Sequence, residues 1–335
     1  NGDGTYSVKG KTYAAEAGGV KYETVAEAIK AVAADSTVTL ISDVTEDVVI
    51  NKNITLDLGG KTLTNTNAGK ATISVQNGAT VTVTNGNVVG GTSYYNIEVV
   101  KGSNANLTLT GVTATAGNTG SSMIDNFGTL TINSGTYTGG LNVVKCEEDS
   151  YLNITDGEFV ANYSSYMNAV IWNYGIAAIS GGTFIQNATG RSNPMVVLTG
   201  YTEGHPSMTT VTGGTFKNNN TTSARASIFW AYSKATGDNF AVSGGSFNKT
   251  IEAKYCAEGF IPSTTKNADG MYGVKEGKYV ASIGSKNYET LAEAINNGAK
   301  KIVKLLSDVD ENVTIKAGTT RTIDLNGYTL NGGTG

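Results

Sequence analysis

An all-β solenoid is the fold the sequence predicts, and three observations predict it. The first is a recurring phrase, best seen in Ile179-Ser180-Gly181-Gly182-Thr183-Phe184, with copies led by Val83, Ile132, Ile154, Val211 and Val242 and weaker ones led by Leu58 and Leu109. Successive copies stand 22 to 32 residues apart, the drifting period of a chain that coils upon itself. The second is alternation, as in Val81-Thr82-Val83 and Leu107-Thr108-Leu109, which gives each strand an apolar and a threonine face. The third is positional. A glycine recurs at 86, 135, 157, 182, 214 and 245, where positive φ would turn a corner, and two residues later stands Val88, Tyr137, Phe159, Phe184, Phe216 or Phe247. Stacked about 4.8 Å apart, these side chains would form an interior ladder, rich in aromatic rings.

Taken from the N-terminus, residues 1–19 read as the tail of a preceding module ending in a β-hairpin. Residues 1–8 return at 267–274, and the match runs on from Tyr22 against Tyr288 to Leu58 against Leu325. Short coils are thus nested in a module of about 266 residues. Asp3-Gly4 and Asp269-Gly270 read as hairpin turns, with too few carboxylates around them for a calcium loop. Thr24 and Glu27 have capping-box spacing, and Val25, Ile29 and Val32 share a face, so a helix is expected over 24–34, closing the apolar end of the stack. The main β body is expected over 20–256, a connecting hairpin over 257–285, and a truncated second module over 286–335. From residue 71 each coil carries a further strand ahead of its glycine phrase, such as Ile73-Ser74-Val75, Val170-Ile171-Trp172 and Ile228-Phe229-Trp230. Three strands per coil and about eight coils follow. Coils of this length suit a right-handed parallel β-helix with an N-terminal capping α-helix.

Composition narrows the function. Charged residues make up 16% of the chain and the net charge is −4, against the basic stripe that nucleic acid requires. No apolar run reaches the roughly 20 residues of a membrane span, so no membrane insertion is expected. Cys146 and Cys256 lie several coils apart, too far for a disulfide, and should be free thiols. No Cys/His pair has metal-ligand spacing, and neither a metal nor a cofactor is expected.

The phrases Tyr288-Glu289-Thr290-Leu291-Ala292-Glu293-Ala294-Ile295, Leu306-Ser307-Asp308-Val309, Ile323-Asp324-Leu325-Asn326-Gly327-Tyr328-Thr329-Leu330 and Tyr255-Cys256-Ala257-Glu258-Gly259 carry a resemblance. The chain resembles the pectate-lyase-like superfold, and more narrowly the modules repeated in long surface proteins of Gram-positive gut bacteria. The resemblance implies an architecture and a secreted, bacterial cell-surface location, not a reaction.

Two groups of residues are candidates for chemistry. In the strand before the glycine phrase, Ile124, Val144, Ile171 and Phe229 are read as inward. Asp125, Lys145 with Glu147, Trp172 with Tyr174, Val197 with Thr199, and Trp230 with Tyr232 are read as outward. Ile73/Val75 and Ile97/Val99 point to the opposite parity in earlier coils. On this face Asp125 and Glu147 would stand one coil apart, near the spacing of a retaining glycosidase pair, with Lys145 to neutralise a uronate or act as base. None of the superfold's catalytic motifs is present. His205, the one histidine, reads as a surface loop residue, and the run Glu147-Glu148-Asp149 as a solvated bend. The aromatics Trp172, Tyr174, Trp230 and Tyr232, with Tyr163, Tyr166 and Tyr201 in loops, suit sugar stacking or a protein partner. The expected function is a non-catalytic stalk or adhesin that contacts a glycan or a host surface protein. The rival is a polysaccharide lyase or glycoside hydrolase using Asp125, Glu147 and Lys145. An exposed edge near Leu325 and Leu330 is expected to support end-to-end self-association.

Overall fold

The computed structural model describes residues 10–66, 69–90, 94–116, 120–164, 167–189, 193–297 and 302–332. The protein is all-β, with 47% of residues in strands and 6% in helices, and its long sheets are parallel. It divides into two compact units, residues 1–256 with 262–273, and residues 257–261 with 274–335. The sequence match at 1–8, Asp3-Gly4 included, lies outside the described residues.

In the first unit, three parallel ladders run through successive coils. One joins Ser36–Leu40 and Ile54–Asp57 to the first half of Thr80–Val89 and onward to Phe240–Val242. A second joins Val44–Thr45 and Thr62–Thr64 to the second half of Thr80–Val89 and ends at Ser246–Phe247. The third is a sheet of eight strands, from Val48–Ile50 to Ser227–Ser233. Alternation decides which side chains go in. Val38, Leu56, Val83, Leu109, Ile132, Ile154, Ile179, Val211 and Val242 form one buried column of the first ladder, while Thr37, Thr55, Thr82, Thr108 and Thr131 stack on its other side.

The aromatic column forms as the phrase predicts. Tyr137, Phe159, Phe184, Phe216 and Phe247 are in register and fully buried, with ring centroids 5.0, 4.9, 4.8 and 5.5 Å apart in order. The first three pairs lie within 12° of parallel. Beyond them Phe229, Phe240 and Tyr255 close the column with edge and tilted contacts. The corner glycines take positive φ at 135, 157, 182, 214 and 245, but Gly86 does not. There the left-handed residue is Asn85, one place earlier, in line with Gly111 of the next coil. A Cβ on Gly86 would instead sit 2.4 Å from that of Leu58, so this glycine serves close packing. An asparagine ladder runs beside the column: Asn162, Asn187 and Asn219, each three residues after its ring and exposed, and the half-buried Asn248, with Asn187, Asn219 and Asn248 each donating to the one before.

The helix spans Val25–Ala31, shorter than expected, because Val32 is already extended. Thr24 accepts from the Glu27 amide as the capping spacing requires. The other free amides, of Val25 and Ala26, donate to the Glu46 carboxylate at 2.8 Å each. The second unit repeats this device: Leu291 and Ala292 donate to Glu311, and Glu293 to Thr290. The copies differ in burial. Leu58 is fully buried beneath the next coil, whereas its counterpart Leu325 is 47% exposed. Asp269-Gly270 forms a turn, with Gly270 at φ 73° and Asn267 accepting from Asp269 and Met271. Both cysteines are free thiols, and burial pushes Cys146 up to about 12.

Candidate functional site

The register of the third ladder fixes the outer column that the sequence left open. Val49, Ser74, Glu98, Asp125, Lys145, Trp172, Leu198 and Trp230 stand in line. The two readings of parity resolve into one, since Ile73, Ile97 and Ile124 share one column and Val75, Val99 and Asn126 the next. One coil is corrected. Val197 and Thr199 face inward, paired with Ile171 and Asn173, so Leu198 takes the outer position between the two tryptophans. A run of apolar residues from Met195 to Leu198 hid this parity.

The structure brings Asp125, Lys145 and Glu147 together. Lys145 opposes Asp125 in the ladder and forms an ion pair with Glu147. Asp125 is fully buried; no hydrogen bond of ordinary geometry reaches its carboxylate, although the Tyr95 hydroxyl stands close enough to act on it. Burial, reinforced by the charge of Glu147, pushes its pKa up to about 7, against the opposing pull of Lys145 and the nearby Tyr95 hydroxyl. Glu98, one coil earlier, is also raised by burial. Tyr95 in turn is pushed up, by burial and by Asp125.

Beside these groups lies a cleft of about 320 Å³, lined by Tyr95, Ser121, Ser122, Asn142, Lys145, Trp172 and Tyr174 among others. Trp172 and Tyr174 are half-buried and stack at 6.4 Å between ring centroids. Gly200 makes room for the tyrosine, since a Cβ there would come within 2.3 Å of the ring. Asn142 is committed on both sides, accepting from Ala169 and donating to Ser122. The Trp172 Nε1 is buried without a partner of hydrogen-bond geometry, although its proximity lowers the Tyr174 hydroxyl against the upward push of burial.

Trp230 and Tyr232 do not line this cleft. With Met167 and Trp172 they pack over Ala169, Met195 and Leu198, and Trp172 meets Tyr232 edge-on at 5.6 Å. Trp230 faces a separate pocket of about 320 Å³ that includes Lys254 and Tyr255. Tyr201, in register with Ser233, has the opposite parity and lines neither. Tyr163 lines neither pocket and its carbonyl accepts from Asn168; Tyr166 lies outside the described residues. His205 is not a lone surface residue. Its Nδ1 lies 2.8 Å from Asp149 and its Nε2 3.8 Å from Glu148, tying its loop to the acidic bend.

The contribution of Tyr95, Ser121, Ser122 and Asn142 was missed from sequence. They stand just ahead of the third-ladder strands, where neither periodicity nor the glycine phrase reaches; the Tyr94-Tyr95 pair was the available signal. Among the described residues no group of three or more His, Cys, Asp or Glu could hold a metal ion, and no helix is long and apolar enough to cross a membrane. No family model, curated protein or solved structure matches the chain.

Proposed function

We propose that the chain is a non-catalytic repeat module of a secreted Gram-positive cell-surface protein, serving as stalk and adhesin and binding glycan on its outer face. In this reading the solenoid is a right-handed parallel β-helix of about eight coils with three strands each, and the helix at Val25–Ala31 shields its apolar end. The parallel ladders and the threonine-clad exterior support a rigid, water-facing spacer. The exposed Leu325 and Tyr328 support end-to-end association with a second copy. The observation that carries the binding role is the cleft itself, where Trp172 and Tyr174 stand beside hydroxyls and a single ammonium group. Aromatic faces take the C–H faces of sugars while neighbouring polar groups take their hydroxyls.

A glycan array tests this. The wild type should bind, Trp172→Ala should lose at least ~10-fold in affinity, and Trp230→Ala should lose less. Unchanged binding in Trp172→Ala would remove the cleft from the account.

One observation favours hydrolysis or elimination as a second reading: Asp125, raised to about 7, stands near the Glu147 carboxylate and Lys145. That is the acid-and-base division carboxylate enzymes use. Against it, both Asp125 oxygens are buried, whereas a general acid must reach its substrate. Turnover of a uronate or mucin glycan by the wild type, lost in Asp125→Asn and Glu147→Gln, would replace the binding reading with this one.

A further inference from the structure

The cleft has a direction. Tyr95 precedes Ile97–Val99, Ser121 and Ser122 precede Ile124–Asn126, Lys145 lies in Val144–Cys146, and Trp172 lies in Met167–Asn173. These four strands are successive neighbours in the parallel sheet. The lining therefore crosses four coils, or three spacings of about 4.8 Å, some 14 Å along the stack. A pyranose in an extended, unbranched chain advances by about one such spacing. A linear glycan laid along the stack would meet each coil with one sugar, whereas one laid along the strands would leave the cleft after a single coil.

The chemistry changes from coil to coil. Aromatic rings stand at both ends, Tyr95 at one and Trp172 with Tyr174 at the other, and the hydroxyls of Ser121 and Ser122 and the Lys145 ammonium lie between. Lys145 is already paired with Glu147, Asp125 stands next to it in the outer column and Glu98 one coil further, so three carboxyl groups lie within two coils of one ammonium. An acidic polymer finds no net positive charge here. Asp125 lies behind the cleft, next to Lys145 in the ladder and close to the Tyr95 hydroxyl, so it holds two of the lining side chains from beneath.

Resting on the glycan-binding reading, we propose that the cleft takes an uncharged, unbranched glycan lying along the stack, one sugar against each of four coils, with stacked sugars at both ends.

Calorimetric titration of the whole chain with a graded series of neutral oligosaccharides, from disaccharide to hexasaccharide, and with an oligogalacturonide series, tests this. Affinity should climb with length and level off at the tetrasaccharide, and the acidic series should bind at least ~10-fold more weakly. Tyr95→Ala should weaken the tetrasaccharide without affecting the disaccharide, which the Trp172 end holds alone. The wild-type length series needs no variant and so stands even if a substitution unfolds the protein. Length-independent binding, equal loss of di- and tetrasaccharide in a folded Tyr95→Ala protein, or preference for the acidic series would overturn this inference and leave the glycan-binding reading intact. Failure of the wild type to bind any glycan would overturn both.

Discussion

The aromatic column inside the stack and the outer column of the third ladder are built by the same device, one residue per coil held in parallel register. The inner column repeats one kind of side chain through five coils, Tyr137 to Phe247, all without exposure. The outer one changes at nearly every step, from Glu98 to Asp125, Lys145, Trp172 and Leu198. An interior must match its neighbours in shape, and identical rings at one coil spacing do so with little adjustment. An outer face has no such requirement. The outer column accordingly carries two carboxyls, an ammonium and an indole in succession, a variety that close packing does not call for.

Substitutions can break or sharpen this contrast. The largest effect belongs to the inner column: Phe184→Ala, between rings at 4.9 and 4.8 Å, should cost ~3–5 kcal/mol in urea unfolding. A loss under ~1 kcal/mol would mean that the column is not a packed core.

Next comes Asp125, where the outer column opposes folding. Its folded pKa, about 7, exceeds its ordinary 3.8, so the folded state binds the proton more tightly and is favoured by acid. The resulting penalty is absent below about pH 3.8, grows as pH rises and is complete above about pH 7, on the order of 4 kcal/mol. Unfolding midpoints at pH 4.5 and pH 8 should therefore fall with pH in the wild type and fall much less in Asp125→Asn. Parallel pH trends in the two proteins would show that Asp125 is not the group responsible.

Trp172→Ala should cost ~1–2 kcal/mol of stability, less than the buried phenylalanine because the indole is half-buried, while abolishing most glycan affinity. Stability loss equal to that of Phe184→Ala would erase the distinction between the columns. Smallest is Thr108→Ala on the outer side of the first ladder, expected within ~0.5 kcal/mol by thermal denaturation. A larger change would give the threonine ladder a share in holding the coils together.

The inner column was legible because its signal is local: a glycine, one spacer and an aromatic side chain recur together, and φ and burial follow at each site. The lapse at Gly86 came from a neighbour. Asn85 adopts the left-handed conformation in its place, and two adjacent residues can exchange that role without altering the phrase. On the outer face, Asp125, Glu147 and Lys145 were legible as a group because parity and coil order suffice to bring them together. Leu198 was not, since four apolar residues in a row carry no alternation to read. The clamp on the helix start escaped because Glu27 stood at the expected spacing, whereas Glu46, from a later turn of the chain, accepts the remaining hydrogen bonds.

That last feature bears on the order of assembly during synthesis. A helix of seven residues is far below the length that persists alone in water. Its acceptor leaves the ribosome 21 residues after Val25, and in the second unit 20 residues after Leu291. Neither helix can be completed until the chain has run forward and returned, so each becomes a late seal on a circuit already begun.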